Sequence, residues 1–123
     1  MDKKKILVVD DDQDMQKMLR LSIEASGYEF MSVSDGAEML KAINTKTPDL
    51  ILLDVMLPNM DGYTALREMR KEDKFKDLPV IVLTGKEQQK VGDLFALEEI
   101  AHFVEKPFDS RDLMGKIKES ING

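Results

Sequence analysis

The chain has 123 residues, of which 34% are charged and 42% hydrophobic, and its net charge is −6; this is the composition of one globular domain, residues 1–123, with a sizeable core. The negative balance opposes nucleic-acid binding, which needs a basic face, and Lys3-Lys4-Lys5, the one compact basic run, reads as the solvated start of a strand. The absence of cysteine excludes disulfides and thiolate metal sites, and the lack of a membrane-length apolar run or an N-terminal signal points to a cytoplasmic location with no membrane partner.

In chain order, Ile6 to Val9 is a β-branched apolar run that reads as the first strand and ends in Asp10-Asp11-Asp12. The first helix is expected from about Gln13 to Ser26. Met15, Met18, Leu19, Ser22 and Ala25 fall on its apolar face, and Gly27 is its stop. Tyr28 to Val33 reads as the second strand. Asp35 with Glu38 three residues on is a capping arrangement for a second helix with Ala37, Leu40 and Ile43 inward. The third strand begins at Asp49, carries Leu50 to Leu53, and ends at Asp54 before the turn residues Pro58, Asn59 and Asp61-Gly62.

Asp61-Gly62 opens a third helix with Ala65, Leu66 and Met69 inward, and the charged stretch Lys71 to Asp77 reads as solvated helix end and loop. Val80 to Leu83 is the fourth strand, ending at Thr84-Gly85. A fourth helix is expected over roughly Glu87 to Glu98. Ala101 to Val104 is a short fifth strand ending at Glu105-Lys106-Pro107. A fifth helix, capped by Asp109 or Ser110, has Leu113, Ile117 and Ile121 as its core stripe. Strict alternation of strands and helices predicts a doubly wound α/β fold, (βα)5, with helices on both faces of a parallel five-stranded sheet.

All strands of such a sheet point one way, so their C-terminal ends share a rim. That rim collects Asp10 and Asp11, Asp54, Thr84 and Lys106. An aspartate after a strand is, taken alone, more readily a loop cap than a ligand, but three crowded carboxylates repel one another and raise one another's pKa. A hard cation such as Mg²⁺ relieves that repulsion with oxygen ligands and retained water. A lysine adds a point charge for phosphate, and a carboxylate can itself be a nucleophile that takes a phosphoryl group.

Four motifs then carry a resemblance: ILVVDDD at Ile6 to Asp12, LLDVMLPNMDG at Leu52 to Gly62, VLTG at Val82 to Gly85 and EKPF at Glu105 to Phe108. The chain resembles the receiver domain of two-component response regulators from Lys5 to about Ile121. The resemblance implies a flavodoxin-like fold with strand order 2-1-3-4-5 and no activity as an enzyme beyond its own phosphorylation and dephosphorylation. By position, Asp54 resembles the phosphoacceptor, and Asp10 and Asp11 the acidic pair for Mg²⁺, with Asp11 favoured as the direct ligand. The Met56 carbonyl is a further ligand, Thr84 the switch hydroxyl, Lys106 the phosphate-pairing lysine and Phe103 the switch aromatic. The implied partners are a sensor histidine kinase or histidine phosphotransfer protein and an output protein of unknown identity. The output surface is the fourth helix, fifth strand and fifth helix.

The chain departs from the family pattern on the output side. Gly85 stands where alanine is usual, Phe103 lacks a hydroxyl, and Glu99-Ile100 replaces a Gly-Ala pair. The resemblance also implies that Met56 and Lys86 flank the path of a hydrolytic water, and neither is a base at neutral pH, so slow dephosphorylation is expected. Asp12 and Asp14 read as first-turn residues favoured by the helix dipole, and His102 and the nine methionines as ordinary packing. Asp10-x-Asp12 with Thr84 and Lys106 also resembles haloacid-dehalogenase-like phosphatases, with Asp10 as nucleophile and Asp12 as general acid, but that reading leaves Asp54 without a role. A phosphorylation-independent interaction module on the same fold is a third reading, opposed by the intact acidic set.

Overall fold

In the computed structural model, residues 3–54, 60–85 and 100–122 are described. Five parallel strands, β1 (Lys5–Val9), β2 (Glu29–Val33), β3 (Leu50–Asp54), β4 (Val80–Thr84) and β5 (His102–Glu105), form one sheet in the order β2-β1-β3-β4-β5. The helices are α1 (Gln13–Ala25), α2 (Gly36–Thr45), α3 (Gly62–Arg70) and α4 (Ser110–Asn122), the last being the fifth helix expected from the sequence. A 3-10 turn covers Asp73–Phe75. The helix expected over 87–98, with Met56 and Lys86, lies outside the described residues.

The inner strands β1, β3 and β4 are apolar on both faces because both are covered. β3 and β4 are buried throughout, as central strands of a parallel sheet must be. Residues alternate between two cores. Leu7, Val9, Ile51, Leu53, Val80 and Val82 pack with Met39 and Ile43 of α2 and with Ala65, Leu66 and Met69 of α3. Ile6, Val8, Leu50, Leu52, Ile81, Leu83 and Val104 pack with Leu19 and Ile23 of α1 and Leu113 and Ile117 of α4.

Helix starts follow their caps. Asp12 accepts from the amides of Asp14 and Met15, Asp35 from Glu38, Asp61 from Thr64, and Asp109 from Arg111 and Asp112; such caps are worth about 1 kcal/mol each. Gly27, at φ +89°, turns the chain out of α1 in a conformation that a Cβ would strain.

Two helix faces differ from expectation. In α1 the inner row is Leu19 and Ile23, with Met15 packed beside it, while Met18 is 39% exposed and Ala25 lies outside. In α2 the buried residues are Gly36, Met39 and Ile43, Ala37 is exposed and Leu40 only half-buried. The charged stretch 71–77 is not wholly solvated either, because the Asp73–Phe75 turn drives Phe75 into the core.

Candidate functional site

The order β2-β1-β3 means that the chain leaves β1 toward one side and β3 toward the other, opening a crevice at the strand ends where ligands of such sheets bind. β1 and β3 are paired up to Val9 and Leu53, so Asp10 and Asp54 stand side by side just past the last shared rung. Both are buried, while Asp11 is exposed at the crevice mouth. The three residues can each offer one carboxylate oxygen within 4.8 Å of the others.

Lys106 arrives from the other side of the sheet. β5 pairs with β4 through Thr84 and Glu105, and the Lys106 amide donates to the Thr84 carbonyl at 2.6 Å. The Lys106–Pro107 peptide is cis. The ammonium reaches between the acids, 3.2 Å from Asp10 Oδ2 and 3.4 Å from Asp54 Oδ2. Burial pulls the Lys106 pKa down, but the negative charges of Asp54 and Asp10, with hydrogen bonds to both, pull it up by more, and the net direction is up. Asp10 is held at its other oxygen by the Asp12 amide, at 2.9 Å.

Thr84 lies at the same rim and is buried. Phe103, on β5, is 43% exposed, so it is not a core residue in this conformation. His102, beside it, faces Glu119 of α4 at 4.0 Å. The structure thus brings Asp10, Asp11, Asp54 and Lys106 into one cluster with Thr84 at its edge. The Met56 carbonyl, the further ligand implied by resemblance, lies outside the described residues.

Gly62 is a residue whose importance the sequence pattern does not reveal. A Cβ there would sit 2.5 Å from the Asp54 carbonyl oxygen. The start of α3 therefore presses directly on the backbone that carries Asp54, and only glycine allows that approach. The Asp61-Gly62 turn signal is visible in the sequence, but the object it packs against is not.

The donor set fits a hard divalent cation. Among the described residues it consists of carboxylates alone, of which two are buried, with no nitrogen or sulfur ligand, the preference of Mg²⁺ rather than of zinc. Asp12, by contrast, spends its carboxylate on the α1 amides outside that cluster, which is not the posture of a general acid.

The comparisons agree with this geometry. The family model described as "Response regulator receiver domain" matches residues 6–118. The chain is 39% identical over 116 residues to the alkaline phosphatase synthesis transcriptional regulatory protein PhoP of Bacillus subtilis, covering 94% of this chain and 47% of that protein. It is 38% identical over 121 residues to the probable transcriptional regulator ycf27 of Cyanophora paradoxa, covering 97% of this chain and 48% of the relative. The chain thus spans about half the length of these curated relatives.

Among solved structures it resembles a CheY-like response regulator receiver domain protein from Methanospirillum hungatei, with TM-score 0.91 and 29% identity over 98% of this chain and 95% of that one. It also resembles the receiver domain of sensor histidine kinase PA1611 from Pseudomonas aeruginosa, described with a magnesium ion coordinated in its active-site cleft. There the TM-score is 0.90 and the identity 27%, covering 99% of this chain and 100% of that one. None of this favours the phosphatase alternative, and no helix among the described residues is long and apolar enough to cross a membrane. With the sheet order, the acidic cluster and a family match over nearly the whole chain, this protein belongs to the response regulator receiver domain family.

Proposed function

We propose that the chain, as one receiver domain over residues 1–123, takes a phosphoryl group onto Asp54 from the phosphohistidine of a sensor histidine kinase or phosphotransfer protein. The observation that carries this reading is the placement of the Lys106 ammonium 3.2 Å and 3.4 Å from two buried carboxylates, Asp10 and Asp54. In the transfer, an Asp54 oxygen attacks phosphorus and the bond from phosphorus to the imidazole nitrogen breaks. Lys106 moves from pairing carboxylates to pairing the new phosphoryl oxygens, and Asp10 and Asp11, with the Met56 carbonyl, are the groups that would hold Mg²⁺. When bound, that ion neutralises charge on the transferring phosphoryl group. Protein groups already aimed at that charge need no reorganisation during the reaction.

Thr84, at the end of β4, is the hydroxyl placed to follow the new charge. Phe103 is the side chain placed to turn inward as Thr84 moves. Its exposure here supports an outward, unphosphorylated state that phosphorylation depopulates. The surface that changes, where an output partner is read, includes β5 and α4, together with the helix expected over 87–98 outside the described residues. A cytoplasmic location goes with this function.

Incubation with Mg²⁺ and acetyl phosphate should add one phosphoryl group by intact mass, and Asp54→Asn should abolish the gain. Labelling that survives Asp54→Asn and disappears in Asp10→Asn would instead support the haloacid-dehalogenase-like chemistry.

A further inference from the structure

Gln16 lies four residues beyond the Asp12 cap, in the first turns of α1, and its main-chain amide donates to the Asp12 carbonyl at 3.0 Å. Long helical side chains lean toward the helix N-terminus, which carries this amide back over the rim of the sheet. There Nε2 donates to two main-chain carbonyls, Asp10 at 2.5 Å and Val33 at 3.1 Å. Val33 O also accepts from the Asp10 amide at 3.2 Å. The β1–β2 ladder ends at the Val9–Val33 rung, so the Asp10 carbonyl projects beyond the sheet. One side-chain amide thus joins the end of β1, the end of β2 and the start of α1.

The Asp10 carbonyl belongs to the peptide that joins Asp10 to Asp11. A peptide unit is planar, so fixing its oxygen also fixes the direction of the Asp11 amide and the base from which the Asp11 side chain departs. Asp11 is the exposed member of the acidic cluster. Repulsion among the three carboxylates pushes this loop outward, and the Gln16 clamp opposes that motion. Because both neighbours of the amide are acceptors, its NH₂ group must face them, and its oxygen cannot take their place.

We infer that Gln16 is a positioning residue for the divalent cation. It holds the Asp10–Asp11 peptide so that the acidic pair is preset for Mg²⁺, without touching the ion. This inference rests on the metal reading of the acidic cluster. Partners that orient metal ligands typically contribute about 10- to 100-fold in metal affinity.

The test is a calorimetric Mg²⁺ titration of the full chain, wild type against three variants. Gln16→Met keeps the length and apolar stem but has no donor. Gln16→Asn keeps the amide but is too short to span both carbonyls. Asp35→Ala removes a helix cap at the start of α2 and serves as a stability control. Both Gln16 variants should bind Mg²⁺ at least about 10-fold more weakly, whereas Asp35→Ala should lose thermal stability and keep wild-type affinity. Acetyl-phosphate labelling of the Gln16 variants should be slow at limiting Mg²⁺ and recover at saturating Mg²⁺.

Wild-type affinity in Gln16→Asn or Gln16→Met would overturn the inference while leaving the metal reading intact. An equal loss of affinity in Asp35→Ala would also overturn it, since affinity would then track general stability. A wild type that takes up no Mg²⁺ would overturn the metal reading itself.

Discussion

The two ends of the sheet treat charge in opposite ways. At the N-terminal ends of the strands, most polar groups meet a partner of opposite character. The Lys5 amide donates to Asp49 Oδ2 and the Asp49 amide to the Lys5 carbonyl, both at 2.7 Å. Lys46 pairs with Glu29 at 2.8 Å, and its hydrogen bond holds the Glu29 carboxyl below the usual range. Arg70 spans the carbonyls of Phe75, Lys76 and Leu78 at 2.7, 3.1 and 2.8 Å. At the C-terminal ends, three carboxylates converge and Lys106 pairs with two of them. The matched end stabilises the fold whatever ligand is present. The crowded end is held together by the rest of the fold, and its excess negative charge is what a cation or a phosphoryl transfer can use.

The sharpest way to break this comparison is at the matched end. Arg70→Met removes one guanidinium nitrogen whose two N–H groups are shared among the three carbonyls, and a hydrogen bond from a charged group contributes about 1.5–3 kcal/mol. The variant should lose about 3 kcal/mol of stability in urea unfolding and keep wild-type Mg²⁺ affinity and labelling by acetyl phosphate. A variant that folds as stably as wild type but fails to label would show that the two ends are not separable.

Much of this division is legible in the sequence, and its gaps have physical causes. Four of the five strands announce the residue at their C-terminal end, because apolar runs stop at a carboxylate or a threonine, with a lysine one residue on in β5. Parallelism then gathers Asp10, Asp54, Thr84 and Lys106 without further information. The inner face of α1 was harder to read because Met18 and Ala25 are apolar residues that the surface tolerates, and they mask the Leu19–Ile23 row. In α2, Gly36 adds no apolar signal although it is buried against the Met60 carbonyl, so the inner row appears one residue displaced. Phe75 hides among charged neighbours, yet a lone aromatic inside such a stretch is itself a sign of an anchor. Gln16 looks like any polar helix residue. What distinguishes it is position, one turn past a cap that follows an acidic strand end, within reach of that strand's last carbonyls.

A second, smaller effect sharpens the crowded end. Ligand binding stabilises by RT ln(1 + [L]/Kd), so Mg²⁺ at ten times its Kd should add about 1.4 kcal/mol to the wild type. Asp11→Asn removes one carboxylate of the three. It should therefore unfold at equal or higher urea than wild type without the metal and gain almost nothing when Mg²⁺ is added. Paired urea melts with Mg²⁺ and with chelator read both changes. Full Mg²⁺ stabilisation in Asp11→Asn would remove Asp11 from the ligand set.

The smallest expected effect isolates Lys106. Its folded-state pKa is raised from the ordinary value of 10.5. A group raised on folding contributes stability that is fully present below its unfolded pKa and lost as pH rises through its folded pKa. The contribution of Lys106 is therefore constant through neutral pH and declines only in the alkaline range above 10.5. Other lysines and tyrosines titrate there too, so the quantity to measure is the stability of wild type minus that of Lys106→Met, in metal-free buffer. That difference should favour wild type, stay flat from pH 7 to about 10, and shrink at higher pH as the wild-type amine becomes neutral beside carboxylates that remain charged. Added Mg²⁺ should reduce the difference at neutral pH, because the ion offsets the same carboxylates by another route. A difference that already falls between pH 5 and 8 would mean that the ammonium is not the group balancing Asp10 and Asp54, and the crowded end would need another source of positive charge.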